Sequence, residues 1–243
     1  MILGLIPSRL NSKRLKKKPL LEINNLPIIV HTYKRAKLSK KLDKLIVCSD
    51  SREIQKRVVE HGGECVLTSK KHKNGTERIQ EIAKKFKAKL VIDIQGDEPL
   101  LDPNHIDKVI NFHLKNYNFD IVLPTLKFSN PDTKNIVKVV TNNKNKVLYL
   151  SRAVIPYKFK ERPKYFNKHL SIISFKPDAL RKFSNFKESR LEKIEGIELL
   201  RALENDLTIG TFSMQSNTFS VDIKEDYLKA IEAFKKDKYR NAY

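Results

Sequence analysis

The chain has 243 residues, of which 40% are hydrophobic and 32% charged, a composition typical of a folded protein with one sizeable core and not of a disordered one. No apolar run approaches the roughly 18 residues of a membrane-spanning helix, and the N-terminus is apolar before it is basic, the reverse of a secretory signal; both features favour a cytoplasmic protein with no membrane partner. The net charge of +21 raises nucleic-acid binding as an alternative, but the basic clusters lie on separate segments with little aromatic interleaving, so we expect no nucleic-acid partner and a surface that attracts acidic substrates.

The first half of the chain alternates between short apolar segments and segments of helical length. Strands are predicted at 2–6, 45–48, 64–67 and 90–94, and helices at 27–38, 52–61, 76–88 and 104–115. This alternation is typical of an α/β fold whose Rossmann-like, mostly parallel sheet carries helices on both faces. Cys48 and Cys65 fall within predicted strands, and we interpret them as ordinary packed thiols.

After about residue 120 the pattern indicates an antiparallel excursion. Strands are predicted at 120–128, 136–141, 146–150, 170–175, 207–213 and 217–221, and helices at 177–185 and 190–205. A last helix places Tyr227, Leu228, Ile231 and Phe234 on one packing face. We predict one domain over 1–243, with an excursion at about 120–205.

A cationic loop follows the first strand, and we use this name for residues 9–18. It contains Arg9, Arg14 and Lys18 among six basic residues. Ligands of open parallel sheets bind beyond the carboxyl ends of the strands, so a cationic loop there predicts an anionic ligand, most simply a polyphosphate. The chain has neither G-x-G-x-x-G nor G-x-x-x-x-G-K-[ST], so side chains and not a glycine cradle would hold phosphate.

A pair of carboxylates follows the predicted strand at 90–94. Gly96 permits a close backbone approach, and Asp97 and Glu98 come directly after it. Carboxylates at a strand end, facing a cationic loop, suit a Mg²⁺–polyphosphate site, because this metal takes few protein carboxylates and leaves its other positions to phosphate and water. A helix-capping turn is the alternative.

Several other segments are weaker candidates. Gly75 and Thr76 stand where a helix starts, so free N–H groups there are able to bind an anion or a base edge; the alternative is a Thr cap with Glu77 and Arg78 in a solvated first turn. Arg152 follows a strand, a lone histidine such as His169 is more often structural, and Asp222 has a simple N-cap as its alternative.

The order of these motifs resembles that of the CMP-sugar-acid synthetases, and most closely that of the 3-deoxy-manno-octulosonate cytidylyltransferase (CMP-Kdo synthetase) family. The resemblance extends from Ile6 to about Leu228. The resemblance rests on Val221-Asp222 before the last helix and on seven sequence segments. These segments are IPSRLNSKRLKKKPL, LPIIVH, HKNGTER, IQGDEPL, SRAVIP, HLSI and LEKIEGIELLR.

The resemblance implies transfer of a cytidylyl group from CTP to an eight-carbon 3-deoxy-2-keto sugar acid, with Mg²⁺, in lipopolysaccharide precursor synthesis by a homodimer. It also implies that the excursion at about 120–205 serves dimerisation or sugar binding, and it implies the roles of particular residues. Lys18, Asp97 and Asp222 would be catalytic, and the two aspartates would hold the metal. CTP would bind to Arg9, Arg14, Lys18, Asn74, Gly75 and Thr76. The sugar acid would bind to Arg78, Gln95, His169 and Glu198.

The chain departs from the family pattern at several positions, which leave the nucleotide and metal ligands largely intact but bear on which sugar acid is bound. Asn74 replaces the usual serine, and Ile173 stands where a tyrosine usually faces the sugar. An amino-substituted octulosonate or another 2-keto sugar acid is therefore the alternative acceptor. Outside this class, the alternatives are a nucleotidyltransferase for a neutral sugar phosphate and a basic nucleic-acid-binding protein.

Overall fold

The computed structural model describes residues 1–11, 14–131, 133, 135–161 and 163–243. Ser12 and Lys13 of the predicted cationic loop lie outside the described residues. The chain divides into two compact units, the first made of Met1–Lys108 with Asn217–Tyr243 and the second of Val109–Ser216. Among the described helices, none has both the length and the apolar character needed to cross a membrane.

Four parallel strands form the sheet of the first unit, in the spatial order β5, β4, β1, β6. The interiors of β1, β4 and β6 are largely apolar and buried, as in β1, where Leu3, Leu5 and Ile6 have no exposed surface, whereas Leu67 of β5 is exposed. The strands are β1 (Ile2–Ser8), β4 (Lys44–Ser49), β5 (Cys65–Leu67) and β6 (Leu90–Asp93). The predicted parallel, alternating α/β arrangement is confirmed.

The connecting helices of this region agree with the predicted ranges, with one shortened end. They are α1 (Ile28–Lys37), α2 (Arg52–Glu60), α3 (Gly75–Ala83) and α4 (Pro103–Lys115). Helix α3 stops five residues before the predicted end at 88, where the chain is rich in lysine and like charges on adjacent turns oppose a helix. Its last turn tightens through a bond from Phe86 N to Ala83 O.

A small hairpin between β1 and α1 was not predicted. Its strands, β2 (Glu22–Ile23) and β3 (Leu26–Pro27), are joined by Asn24 and Asn25, which have φ values of 47° and 63°. Asparagine tolerates this left-handed conformation, so the Asn-Asn pair forms the tight turn. The hairpin leads directly into α1.

The second unit contains the predicted antiparallel strands. Strand β7 pairs antiparallel with β10 and β11 and parallel with β12, while β8 pairs antiparallel with β9 and β10. The strands are β7 (Ile121–Phe128), β8 (Lys138–Thr141), β9 (Val147–Ser151), β10 (Phe166–His169), β11 (Ile173–Phe175) and β12 (Ile209–Ser213). The sequence analysis missed β10, because its sequence FNKH lacks the apolar alternation of a strand.

Three predictions about the later elements are wrong. The predicted helix at 190–205 is two helices, α6 (Arg190–Glu195) and α7 (Leu199–Glu204), because Gly196 takes a φ of 62° and ends α6. The segment 217–221 is not a strand. On α8 (Lys224–Lys235), Leu228 is 52% exposed, whereas Phe234 is buried on the packing face. Helix α5 (Pro177–Asn185) has the predicted bounds.

A buried histidine links α4 to the sheet of the second unit. His113 Nε2 lies 3.1 Å from the Phe119 carbonyl oxygen, to which it donates, and Nδ1 lies 2.7 Å from Ser174 Oγ, from which it accepts. Burial and, to a smaller extent, the nearby Lys176 lower the pKa of His113 to about 4, although the hydrogen bond to Phe119 raises it. The folded protein therefore holds this imidazole neutral.

We expect acidification to destabilise the protein through His113. The folded-state pKa of about 4 lies below the ordinary histidine value of 6.5, so the stabilisation is complete above pH 6.5 and is lost as the pH falls from 6.5 toward 4. The free energy of unfolding is measured by chemical denaturation at a series of pH values. Between pH 6.5 and pH 4 it should fall in both proteins, but in a His113→Gln variant the fall should be smaller than in the wild type, by up to about 3 kcal/mol. Parallel curves for the two proteins would contradict the assignment.

Candidate active site

One lysine joins two acidic side chains that are far apart in the sequence. Lys18 Nζ lies 2.6 Å from Asp97 Oδ2 and 3.1 Å from Asp222 Oδ1. The Lys18 side chain is only 14% exposed, so water screens these contacts less than it would at the surface. The cationic loop and the acidic residues therefore meet at one place in the first unit.

Asp97 is placed by the close approach of Gly96 to the end of β1. A Cβ atom at Gly96 would lie 3.0 Å from the Pro7 carbonyl oxygen and 3.0 Å from Ile29 Cδ1. Any side chain at this position would push the loop away from β1, so the glycine brings the carboxylate that follows it toward the cationic loop. The expected close approach at Gly96 is confirmed.

Asp222 is placed by backbone bonds on either side of it. Val221 N donates to the Asp97 carbonyl oxygen at 2.9 Å, which ties the two acidic segments together. Asp226 Oδ2 accepts from the backbone N–H groups of Asp222 and Ile223 at 3.0 and 3.2 Å. The N-cap residue of α8 is Ile223, so the carboxylate of Asp222 does not serve as the cap and is available to cations.

The other cations of the loop are more exposed. Arg14 NH2 donates to Asp222 Oδ1 at 2.8 Å, with its side chain 64% exposed, and Arg9 is also exposed. Lys17, at a φ of 50°, binds Glu53 Oε1 at 3.0 Å and leads into a short 3₁₀ turn at Lys18–Leu20. Among these loop cations, Lys18 is the one whose side chain contacts both Asp97 and Asp222, and its backbone is fixed in the 3₁₀ turn.

The two aspartates suit a Mg²⁺ ion. Their oxygens both lie within 3.1 Å of one cationic atom, so they already converge on a position that holds positive charge. Carboxylate oxygens are the ligands this ion prefers, and one or two of them suffice when a substrate supplies phosphate oxygens. Over the described residues, no group of three or more His, Cys, Asp or Glu side chains is placed to hold a metal.

A cavity of about 590 Å³ lies at the carboxyl ends of the parallel strands. Its walls are formed by residues at or just after the ends of β1, β4 and β5: Leu10, Asn11, Asp50, Ser51, Arg52, Leu67, Thr68 and Lys70. Its position agrees with the rule for ligands of open α/β sheets, and its size is ordinary for a small-molecule site. Leu10 and Asn11 belong to the cationic loop, so the cavity and the phosphate-binding candidates share one segment.

The segment 74–76 begins helix α3. Asn74 is the N-cap, accepting a bond from Glu77 N at 2.8 Å, and Thr76 is buried, so the Thr-cap alternative is wrong. A Cβ atom at Gly75 would lie 3.2 Å from Pro7 Cγ, so the helix starts close to the end of β1.

Arg78 does not lie in a solvated turn, so the alternative given for it in the sequence analysis is wrong. It is buried, with 3% exposure, and its guanidinium binds Asp50 and Thr68. Gln95, also in the first unit, donates from Nε2 to both carboxylate oxygens of the buried Asp93 at 3.2 Å.

His169 and Glu198 lie in the second unit. His169 ends β10, a strand of its own, and donates from its backbone N–H to the Val137 carbonyl oxygen at 3.0 Å. Burial lowers the pKa of its imidazole to about 4, and Lys168 adds to this effect. Glu198 precedes α7 and is half-buried. Arg152 donates from Nε to the Glu195 carbonyl oxygen at 2.8 Å.

Sequence reasoning missed Asp50, Thr68 and Asp226. Asp50 directly follows β4, so the argument that selected Asp97 as a strand-end carboxylate would also have found it. Asp226 has no such signal, because a carboxylate in the first turn of a helix is common. The two cysteines are buried and free, and burial raises the pKa of Cys65 to about 12, as expected of packed thiols.

Comparison with known proteins gives consistent matches over nearly the whole chain. The cytidylyltransferase family model matches residues 3–209. Two proteins named 3-deoxy-manno-octulosonate cytidylyltransferase, from Leptospira biflexa and Fusobacterium nucleatum, are each 38% identical, with 97% of this chain and 97% of each relative covered. A solved structure of CMP:2-keto-3-deoxy-manno-octonic acid synthetase complexed with CTP superposes with a TM-score of 0.93 at 29% identity, covering 97% of this chain and 98% of that one.

Full-length coverage at this identity, together with the acid pair and the cationic loop in the first unit, leaves one assignment. The chain belongs to the cytidylyltransferase family, and within it to the 3-deoxy-manno-octulosonate cytidylyltransferases.

Proposed function

We propose that this chain transfers the cytidylyl group of CTP to 3-deoxy-manno-octulosonate or a similar 2-keto sugar acid, releasing pyrophosphate, as a step toward lipopolysaccharide. The observation that carries the proposal is Lys18 held between Asp97 and Asp222, next to the cationic loop, in a chain with 38% identity to enzymes named for this reaction. The substrates are both anionic, in keeping with the net charge of +21.

The reaction is an in-line displacement at phosphorus. A bond forms between the anomeric oxygen of the acid and the α-phosphorus of CTP, the bond from this phosphorus to the bridging oxygen breaks, and the hydroxyl proton is released. Pyrophosphate leaves with the electrons of the broken bond. Positioning of the reactants and neutralisation of charge supply most of the rate enhancement in such reactions, so no covalent nucleophile is needed.

The cationic loop binds the triphosphate of CTP, and the cavity binds its nucleoside. Arg9, Arg14 and Lys18 bind the triphosphate, because guanidinium and ammonium groups neutralise phosphate oxygens directly. The cavity at the ends of β1, β4 and β5 takes the nucleoside, with Asn74, Gly75 and Thr76 at the nearby start of α3. Leu10 and Asn11 belong to the cationic loop and also line this cavity, which supports the binding of one CTP molecule across both.

Asp97 and Asp222 are the proposed carboxylate ligands of Mg²⁺. When bound, the ion would neutralise negative charge on the phosphates and on the leaving group. Lys18 contacts both carboxylates when no nucleotide is present, and it would turn to the phosphates when one binds. Arg14, which contacts Asp222, does the same from a more exposed position.

The sugar-acid ligands Gln95, His169 and Glu198 remain proposals that rest on the family motifs. His169 is held neutral by burial, which suits hydrogen bonding to sugar hydroxyls better than ion pairing with a carboxylate. Ile173, a buried residue of β11, offers no hydroxyl where the family has a tyrosine. An amino-substituted octulosonate therefore belongs in any test of the acceptor.

The test of this function is pyrophosphate release across a panel of nucleotides and acceptors. Release should require CTP, a 3-deoxy-2-keto sugar acid and Mg²⁺ together, and should fail with each omitted. The panel includes 3-deoxy-manno-octulosonate, its 8-amino analogue, another 2-keto sugar acid and a neutral sugar phosphate. No release with any acid would refute the proposal, and release only with the sugar phosphate would assign a different acceptor class.

An Asp97→Asn variant should lose at least a hundredfold in kcat while remaining folded. The substitution keeps the size of the side chain but removes the charge that would hold the metal and that now contacts Lys18. Asp178→Asn, at a carboxylate whose side chain is 81% exposed in the second unit, serves as the control and should keep full activity. Near-normal turnover of Asp97→Asn would remove this residue from the metal site.

A Lys18→Gln variant should bind a divalent ion more tightly than the wild type when no nucleotide is present. The wild-type ammonium contacts both carboxylates, so removing it leaves Asp97 without this cation and Asp222 with the exposed Arg14, and the net negative charge offered to a divalent ion rises by one. Titration of Mn²⁺, followed by the electron paramagnetic resonance of the free ion, should show at least a tenfold lower Kd. Lys17→Gln, which frees Glu53 instead, is the matched control, and equal affinities in all three proteins would contradict this interpretation.

We also propose that the chain acts in the cytoplasm, where CTP is available, and that it forms a homodimer through the region after residue 120. Exposed aromatic side chains in the second unit support the dimer: Tyr157 is 77% exposed and Phe159 is 85% exposed. Sedimentation equilibrium should give twice the chain mass of 28.3 kDa, and Phe159→Glu should lower it toward one chain. A monomeric wild type would refute the dimer.

A further inference from the structure

Arg78 is a buried arginine whose guanidinium binds residues that follow strands β4 and β5. Its side chain is 4% exposed, although it lies on the first turns of α3. NH2 donates to Asp50 Oδ2 at 2.8 Å, and NH1 donates to Thr68 Oγ1 at 2.5 Å and to the Ser69 carbonyl oxygen at 3.4 Å. A guanidinium has a rigid fork of donors, so these contacts fix its neighbours relative to one another.

Two of these partners form the cavity wall. Asp50 follows β4 and Thr68 follows β5, and both line the cavity. Thr68 N donates to the Ser49 carbonyl oxygen at 2.8 Å, so the pairing of the two strands continues to this point. Arg78 therefore ties the ends of β4 and β5 together from behind the wall.

The charge on Asp50 gives Arg78 a second effect on a ligand. The Asp50 side chain is 20% exposed in the wall of a cavity that is proposed to hold part of a polyanion. Without a cation beside it, this carboxylate would repel a nucleoside triphosphate. Arg78 supplies the balancing charge and, because it is buried, has no room to move toward the ligand itself.

We propose that Arg78 is a positioning residue for the nucleotide: through Asp50 and Thr68 it sets the affinity for CTP and has little effect on that for the sugar acid. This inference rests on the proposed function, since it assigns the cavity to CTP. It differs from the role that the family motif implies, in which Arg78 binds the sugar acid. The two roles predict changes in the KM of different substrates.

The test measures both KM values in an Arg78→Met variant, which keeps the volume of the side chain and removes its charge. We expect the KM for CTP to rise at least tenfold, with the KM for the acid within twofold of wild type. Arg181→Met, at an exposed arginine of α5, is the control. A rise in the KM for the acid with an unchanged KM for CTP would overturn the proposal and leave the reaction itself established.

A double variant separates a charge effect from direct contact. Arg78→Met combined with Asp50→Asn removes both charges, so the KM for CTP should return to within about threefold of wild type. No recovery would mean that Arg78 does not act through the charge on Asp50, and would overturn the proposal.

Thr68→Val keeps the proposal testable if loss of the buried arginine prevents folding. It removes the hydroxyl that Arg78 binds and preserves the shape of the side chain. The Kd of CTP for the free protein, measured by calorimetry without any sugar acid, should rise at least threefold. An unchanged Kd would overturn the proposal, and because no turnover is involved, this result is independent of whether pyrophosphate release is observed.

Discussion

The ammonium of Lys18 is the group on which the candidate site depends. It donates hydrogen bonds to the carboxylates of Asp97 and Asp222, which lie 79 and 204 positions away from it in the sequence. Two unit charges about 6 Å apart at an effective dielectric constant near 20 repel by about 3 kcal/mol. Without a cation between them, the backbone bond from Val221 to Asp97 would have to hold the two segments together against that repulsion.

This arrangement couples the state of the lysine to what the site contains. A lysine is a flexible point charge, and Lys18 is able to exchange its carboxylate partners for phosphate oxygens without a change in the backbone. The carboxylates that it leaves then require another cation. Under the proposed function, a triphosphate that arrived with a divalent ion would satisfy both requirements at once, so the free site would favour the metal–nucleotide complex over either component alone.

The sequence was informative where local patterns determine structure. Continuous apolar runs predicted the four parallel strands, and the rule for strand ends placed the cationic loop and Asp97 at the same edge. Asp222 was a weak candidate from the sequence, and its role beside Asp97 came only from the family resemblance, because no local pattern relates a residue before the last helix to the first strand. The broken helix at Gly196 and the strand ending in His169 were missed, since tertiary packing and one backbone angle override the local pattern there.

Arg78 shows most clearly what the sequence does not contain. Its position in the first turns of a helix suggested solvent or a substrate, while the structure pairs it with Asp50 from a different strand end. Two acidic groups at the carboxyl edge of this sheet thus have different cations. Asp97 has Lys18, which is flexible and 14% exposed, and Asp50 has Arg78, which is rigid and 4% exposed. A polyanion that binds at this edge is able to take over the first cation but not the second, so one charge pair responds to the ligand while the other keeps the wall in place.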